Sequence, residues 1–265
     1  MYSETWATTD VGRQRETNQD CHYVDPDGEL ILVLDGMGGH RAGEVAADLA
    51  METISTFYKA HSGKEEEPLE IFENYDDDYT YQANLLRQAV YHANRVVLQA
   101  SLENEELMGM GCTVAAMAIK DQVVSMINVG DSRLYLFRNG SMEQISRDHT
   151  LAEDQIERGI MSREEAQESQ LRHILSSVIG VDNKIRVHMD ELTAVPGDTF
   201  LMCTDGLTCV MKDYEIFDHI SKEPPGPETL KRLVEEANAR GGPDNITMAL
   251  TVFLQDSAGQ KETES

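Results

Sequence analysis

The chain has 265 residues, 40% of them hydrophobic and 26% charged, with a formal net charge of −26. This length and composition are typical of a globular protein that can bury a sizeable core. The strong negative charge argues against nucleic acid as a partner, because DNA and RNA are bound through Lys and Arg that neutralise phosphates.

The start of the chain and its cysteines predict where the protein works. The first residues, MYSETWATTD, lack the basic and apolar regions of a secretion signal, and no segment approaches about 18 consecutive apolar residues, the length of a membrane span. The four cysteines form no C-x-x-C pair, so they suggest neither a zinc knuckle nor a disulfide framework. We therefore expect a cytoplasmic protein without membrane contact.

Two amphipathic helices are predicted in the first half of the chain. Apolar residues recur at helical spacing over residues 42–60 and again over 83–102. Between them, residues 61–82 are acidic and have no sustained period, so we interpret them as a surface insertion.

Strand signals dominate residues 112–146. Four short runs follow one another there, CTVAAMAI, QVVSMINV, RLYLF and SMEQIS. The last two are joined by Asn139-Gly140, a pair that suits a tight hairpin turn. Because the connections are short, the pattern predicts an antiparallel meander.

The second half of the chain alternates between helix and strand signals. Residues 148–172 have a helical pattern, in which Ser162 and Glu165 are spaced as a capping box. The remaining predicted elements are a strand TFLMC over 199–203, a helix over 228–239, a strand ITMALTVFL over 246–254 and a disordered tail over 255–265. Strands grouped with strands favour an α+β fold, and we expect one domain over residues 1–254.

Four aspartates lie at the ends of apolar runs, namely Asp35, Asp131, Asp205 and Asp244. A lone aspartate there usually marks a turn, but strand ends share common edges, so four carboxylates can meet. Unit charges about 4 Å apart repel by on the order of 4 kcal/mol at an effective dielectric near 20. A divalent cation removes this penalty, and oxygen ligands without clustered His or Cys favour Mg²⁺ or Mn²⁺. The glycines after Asp35 would let backbone approach an ion or a phosphate closely.

Seven motifs carry a family resemblance. They are TDVGRQRETNQD, LDGMGGHRAGEVAA, GMGCTVAA, VGDSRLYLF, ISRDHT, LMCTDGL and GGPDNIT. In this order they resemble the metal-dependent protein phosphatases of type 2C, the PPM family, particularly its compact bacterial members. The resemblance runs from about residue 8 to about residue 253. It implies a four-layer α-β-β-α sandwich of two antiparallel sheets flanked by helices, with the metal centre in the cleft between the sheets.

The resemblance also implies a set of metal ligands. Asp35 would bridge two Mn²⁺ or Mg²⁺ ions, and Gly36 would give its backbone carbonyl to one of them. Asp205 and Asp244 would complete the protein ligands of the other ion. Asp131 matches a position associated with a third, weaker metal ion, although a turn residue that caps neighbouring amides remains an equal alternative.

Four further residues receive roles by the same resemblance. Arg15 falls where the family has its phosphate-binding arginine, and His40 would protonate the leaving alkoxide. Asp20 would lie behind the metals and hydrogen-bond their waters, whereas Asn245 would brace the loops. Residues 148–180 occupy the place of a mobile flap, although LSSVIG within them departs from the family's usual wording.

The implied function is Mg²⁺- or Mn²⁺-dependent hydrolysis of phosphoserine and phosphothreonine in proteins, by in-line attack of a metal-bridging water. Its partners would be phosphoproteins made by a Ser/Thr kinase, and we expect a monomer. The alternative is a catalytically silent relative that binds phosphoproteins. The presence of the four carboxylates, Arg15 and His40 favours the enzyme.

A different enzyme class is suggested by a D-x-D-x-T signature over residues 76–80. This signature lacks the preceding apolar strand that an aspartyl-phosphate phosphohydrolase requires.

Overall fold

The computed structural model describes residues 1–39, 41–64 and 75–255, apart from the side chain of Gln167. His40, part of the acidic insertion and the tail from residue 256 therefore lie outside the described residues. No described helix has the length and apolar character needed to cross a bilayer.

The described strands, in chain order, are β1 (Tyr2–Asp10), β2 (Asp20–Val24), β3 (Leu30–Met37), β4 (Gly111–Cys112), β5 (Val114–Lys120), β6 (Val123–Val129), β7 (Arg133–Arg138), β8 (Ser141–Gln144), β9 (His188–Thr193), β10 (Thr199–Cys203) and β11 (Ile246–Leu254). They form two antiparallel sheets. Sheet one has the order β1-β11-β10-β7-β8, and sheet two has the order β2-β3-β5-β6-β9, with β4 paired to β3.

The described α-helices are α1 (Ala42–His61), α2 (Tyr81–Glu103), α3 (Leu151–Glu157), α4 (Arg163–Glu168), α5 (Asp205–Thr208), α6 (Asp213–Ser221) and α7 (Pro227–Ala239). Short 3₁₀ helices span Glu105–Leu107 and Gln170–His173. The predicted helix over 148–172 is thus divided into α3, α4 and a 3₁₀ turn. The Ser162–Glu165 capping box is present at the start of α4.

Successive side chains of β3 point to opposite faces of the sheet, and this alternation explains the layers of the fold. Ile31 and Val33 pack between the two sheets, against Phe200 and Met202 of β10. Their neighbours on β3, Leu30, Leu32 and Leu34, point to the other face and pack against α1 and α2. On the far side, α6 and α7 cover sheet one. The chain is therefore a four-layer α-β-β-α sandwich, which confirms the predicted fold class.

The predicted meander is wrong at one connection. The β5–β6 and β7–β8 pairs are hairpins, and Asn139 and Gly140 have the positive φ values of a tight turn, 53° and 74°. However, β6 and β7 belong to different sheets, so the chain crosses the sandwich between them. Gly130 lies in this crossover with φ of 97°, a conformation that redirects the chain where a hairpin would have kept it in one sheet. Connection length alone did not distinguish the two outcomes.

Candidate metal centre

The strand ends bring the predicted carboxylates to one edge of the sandwich. Asp35 lies near the end of β3, and Asp205 lies two residues after the end of β10. In the antiparallel β10–β11 pair, Cys203 is opposite Met248, so Asp244 just before β11 lies at the same edge as Asp205. Asp20 and Asp35 are opposite one another in the β2–β3 pair.

The electrostatics show that these carboxylates are close together and withdrawn from water. Burial raises the pKa of Asp35 well above its ordinary value, and the negative charges of Asp20, Asp205, Asp131 and Asp244 raise it further. Burial also raises the pKa of Asp131 to about 8, with Asp205 as the next cause. The pKa of Asp205 is raised to about 6 by burial and then by Asp244. Asp35, Asp131 and Asp205 therefore lie in one largely desolvated region, where the positive charges of Arg15 and Arg133 offset only part of the shift at Asp205.

Two carboxylate oxygens without a hydrogen-bond partner test whether this region suits a cation. Oδ1 of Asp205 and Oδ1 of the buried Asp20 have no hydrogen-bond partner within the described residues. Asp205 and Asp35 approach within hydrogen-bonding distance of each other, a contact that two ionised carboxylates avoid without a shared proton or cation. A hard divalent ion with oxygen ligands and waters fits such a donor set. The residues present therefore fit Mn²⁺ or Mg²⁺.

The described side chains are not arranged as a complete set of ligands around one ion. Among them, no group of three or more His, Cys, Asp or Glu side chains is arranged to hold one ion. Asp244 is engaged elsewhere, because Nη2 of Arg15 donates to its Oδ2 over 2.7 Å. Arg15 also feels the charges of Asp35 and Asp205, which together with Asp244 raise its pKa. The predicted phosphate-binding arginine thus lies beside the predicted ligands.

Asn245 holds the loop that carries Arg15. Its Nδ2 donates to the carbonyl oxygens of Val11 at 2.9 Å and Thr17 at 3.0 Å, and its Oδ1 accepts from the amide of Gln19 at 2.8 Å. These three bonds fix both ends of the loop around Arg15. Because Asn245 directly follows Asp244, the same short segment positions both partners of the Arg15–Asp244 pair.

Asp20 is tied to the edge from behind. The hydroxyl of Thr204 donates to its Oδ2 over 2.8 Å. Burial raises the pKa of Asp20 to about 7, although hydrogen bonds from Thr204 and Thr247 oppose this shift. A carboxylate that accepts from Thr204, the residue before Asp205, can orient groups bound at Asp205.

Gly36 is required by packing as well as by access. A Cβ at this position would overlap the carbonyl oxygen of Gly43, near the start of α1. The amide of Gly36 donates to the carbonyl of Gln19 over 3.1 Å. The glycine therefore lets α1 approach the end of β3, a function that the sequence did not reveal.

Two threonines at this edge received no role from the sequence. Thr113 clamps the backbone of Asp35, since its amide donates to the Asp35 carbonyl at 2.8 Å and its Oγ1 accepts from the Asp35 amide at 3.1 Å. Thr204 bonds Asp20, as described above. Both lie inside quoted motifs, GMGCTVAA and LMCTDGL, at the points where strands approach the carboxylates. The position of the two threonines within these motifs was the sequence signal that could have identified them.

Comparison with known proteins agrees with the geometry. Residues 11–254 match the family model of protein phosphatase 2C. The chain is 35% identical over 247 residues to the "Serine/threonine phosphatase stp" of Listeria welshimeri, covering 91% of this chain and 92% of that protein. The crystal structure of the Mycobacterium tuberculosis serine/threonine phosphatase PstP/Ppp superposes with a TM-score of 0.82 at 27% identity, over 96% of this chain and 100% of that one. A structure of the PstP catalytic domain with 2 manganese ions gives a TM-score of 0.78 at 28% identity, over 96% and 99% of the two chains.

The chain belongs to the protein phosphatase 2C family, the metal-dependent class of protein serine/threonine phosphatases that its motifs resemble.

Proposed function

We propose that this protein hydrolyses phosphoserine and phosphothreonine in proteins, with two Mn²⁺ or Mg²⁺ ions bound at the edge formed by Asp35, Gly36, Asp205 and Asp244. The observation that carries the proposal is the shared desolvation of the carboxylates, which raises the pKa values of Asp35, Asp131 and Asp205 together. Relatives named as serine/threonine phosphatases and a manganese-bound structural neighbour support it.

The metal roles proposed here are those that the family resemblance implies. Asp35 would bridge the two ions, the Gly36 carbonyl would bind one, and Asp205 and Asp244 would bind the other. Asp131 would hold a third, weaker ion. When bound, such ions supply a water of lowered pKa and neutralise charge on the phosphoryl group. Asp20 would orient waters at this edge through the oxygen that Thr204 leaves unbonded.

Arg15 would hold the phosphate ester. Its contact with Asp244 uses Nη2, and its side chain is 51% exposed, so the guanidinium can exchange Asp244 for phosphate oxygens at small cost. Asn245 would keep the loop in place during this exchange. His40 would donate the proton that the serine or threonine alkoxide needs as the ester bond breaks.

The substrates would be phosphoproteins produced by a Ser/Thr kinase, whose action this enzyme would reverse as a monomer. A catalytically silent phosphoprotein-binding relative is the competing proposal. Loss of a metal-binding aspartate would favour it, but Asp35, Asp205 and Asp244 are all present.

The test is hydrolysis of an aryl phosphate and of a phosphothreonine peptide, with Mn²⁺, with EDTA and with the Asp205→Asn variant. We expect activity only with the ion, and a loss of about 100-fold or more in Asp205→Asn, since even changes around a metal ligand cost about 10- to 100-fold. Asp218→Asn, an exposed aspartate of α6, is the matched control and should retain activity. An ion at 100-fold over its dissociation constant should also stabilise the fold by about 2.7 kcal/mol.

Each contrary outcome has a separate meaning. Mn²⁺ binding without hydrolysis of either substrate would favour the silent relative. Hydrolysis that survives EDTA would contradict the metal mechanism. Equal loss in Asp205→Asn and Asp218→Asn would show that charge alone, rather than the metal edge, governs activity.

A further inference from the structure

His149 joins two parts of the molecule that the proposed mechanism treats separately. Its backbone amide donates to the carbonyl of Gly130 over 2.8 Å, and the amide of Gly130 donates to the His149 ring at Nδ1 over 3.2 Å. Its own carbonyl accepts from the amide of Ser176 over 2.8 Å. The side chain is buried, with 6% of its surface exposed. His149, at the start of the flap segment (residues 148–180), therefore bonds both the crossover between the sheets and the returning part of that segment at Ser176.

The crossover leads directly to the metal edge. Gly130 precedes Asp131, and the following Ser132 shares a hydrogen bond of 2.6 Å with Thr113 through their hydroxyls. Thr113 in turn clamps both backbone groups of Asp35. Ser132 and Thr113 are both buried. A continuous set of short contacts thus connects His149 to the residue proposed to bridge the ions.

The flap segment is closed at its base next to His149. The amide of Leu151 donates to the carbonyl of Ile174 over 2.9 Å, and Thr150 forms a β-bridge with Leu175. Further along, Ile179 exchanges backbone hydrogen bonds with Cys112, the neighbour of Thr113. The flap base therefore contacts the metal edge at two places, through His149 at Gly130 and through Ile179 at Cys112.

The ring of His149 is suited to a fixed structural bond. An amide donor faces Nδ1, so that nitrogen must be unprotonated and the ring hydrogen must lie on Nε2. Burial, with smaller contributions from Arg186 and His188, lowers the pKa of His149 to about 4. The ring is therefore neutral near pH 7 and remains an acceptor.

We propose that His149 is a positioning residue that couples the flap segment to the metal edge, so that ion binding near Asp35 and Asp131 stabilises the flap base. This inference rests on the proposed function, because that function places ions at Asp35 and Asp131. The coupling is reciprocal: if ion binding stabilises the closed flap base by a given factor, the closed base must bind the ion more tightly than the open base by the same factor.

The test compares His149→Leu, which removes the acceptor, with His149→Asn, whose Oδ1 takes the place of Nδ1. Mn²⁺ affinity is measured by calorimetry without substrate. Flap opening is measured as the rate of tryptic cleavage after the exposed Arg158, Arg163 and Arg172, with and without Mn²⁺. We expect Mn²⁺ to slow cleavage in the wild type and in His149→Asn. In His149→Leu this protection should disappear and the Mn²⁺ affinity should fall about tenfold, as for other changes behind metal ligands.

If circular dichroism shows that His149→Leu does not fold, a second pair of variants tests the inference. Thr113→Val removes the hydroxyl between Ser132 and Asp35, whereas Thr113→Ser keeps it. We expect Thr113→Val to lose the Mn²⁺-dependent protection of the flap segment and Thr113→Ser to retain it.

Four results would overturn the inference. Mn²⁺ that binds the wild type and supports hydrolysis without changing flap cleavage would refute the coupling and leave the proposed function standing. Equal behaviour of His149→Leu and His149→Asn, or full protection in Thr113→Val, would do the same. Failure of the wild type to bind Mn²⁺ at all would instead refute the proposed function and this inference together.

Discussion

Arg15 and Asp244 form an ion pair of 2.7 Å between residues 229 positions apart in the chain. The residue proposed to hold the phosphate therefore also holds a residue proposed to bind an ion. The two side chains are 51% and 29% exposed, so solvent screens the pair and its worth is about 0–1 kcal/mol. The pair can separate when an ion and a phosphate compete for its members.

This geometry predicts opposite effects of Arg15→Gln on two ligands. Mn²⁺ affinity without substrate should rise by roughly two- to fivefold, because Asp244 is released and a nearby positive charge is lost. The KM for a phosphothreonine peptide should rise by roughly tenfold or more, because a bidentate phosphate contact disappears. Calorimetry with Mn²⁺ and steady-state kinetics measure the two changes separately.

Arg13→Gln is the matched control for this prediction. Arg13 is an exposed arginine on the same loop, and its backbone amide, which the substitution preserves, bonds the Gly242 carbonyl. We expect little change in either quantity. If both variants raise KM equally, general charge around the site accounts for substrate binding. If Arg15→Gln weakens Mn²⁺ binding, the ion pair does not compete with the ion.

The sequence predicted the metal edge because its signal is local. Asp35 and Asp205 each end a run of apolar residues, and such runs form strands whose ends lie at sheet edges. The Arg15–Asp244 pair had no comparable signal, since it depends on how two distant loops meet. The same holds for Asn245, whose three bonds to the loop around Arg15 depend on tertiary packing.

The same distinction between local sequence signals and tertiary packing applies to the fold. The strands β10 and β11 were predicted with the bounds that the structure has, because both are predominantly apolar. The strand β1 was not predicted, because its sequence, YSETWATTD, is polar and half-exposed, and it is extended through pairing with β11 at the other end of the chain. The error at the β6–β7 connection had a similar cause: Gly130 in that connection packs closely against Thr113, a tertiary contact that the local sequence does not reveal.

A second prediction concerns the glycines that follow Asp35. Gly36→Ala should destabilise the protein by about 1–3 kcal/mol, the usual cost of overpacking, because a Cβ there would overlap backbone atoms of Gly43 and Gln19. Activity should fall with it, since α1 and β3 would have to separate beside Asp35. Thermal or urea unfolding measures the change. Gly39→Ala is the control, because a Cβ at Gly39 meets nothing within 4 Å. Similar melting temperatures for the two variants would contradict the packing argument.

A third prediction tests the proton donor. His40→Ala should slow hydrolysis of a phosphoserine peptide by about 100-fold or more, the range of general acid catalysis. It should affect an aryl phosphate far less, because an aryl oxide leaves without needing the proton. His61→Ala, a histidine at the end of α1, is the control and should leave the ratio of the two rates unchanged. Equal losses on both substrates in His40→Ala would remove the acid role.

The last prediction concerns stability against pH in the absence of metal. The pKa values of Asp205, Asp20 and Asp131 are raised to about 6, 7 and 8, chiefly by burial. Between the ordinary pKa of an aspartate, about 4, and about pH 8, these three groups therefore bind more protons in the folded state than in the unfolded state. They lower the free energy of unfolding as pH rises through this window, by at most about 1.4 kcal/mol per pH unit for each proton. Histidines with a lowered pKa, such as His149, contribute in the opposite direction below about pH 6.5.

Urea unfolding in EDTA at several values between about pH 5 and pH 8 measures this fall. Saturating Mn²⁺ should reverse its sign, because the ion binds the deprotonated carboxylates and binds them better as pH rises. Asp131→Asn should make the metal-free dependence shallower, since it removes the group whose pKa is raised to about 8. Asp218→Asn, on the exposed face of α6, should leave it unchanged. A metal-free pH dependence that is the same in Asp131→Asn as in the wild type would show that burial and crowding do not raise the pKa of Asp131.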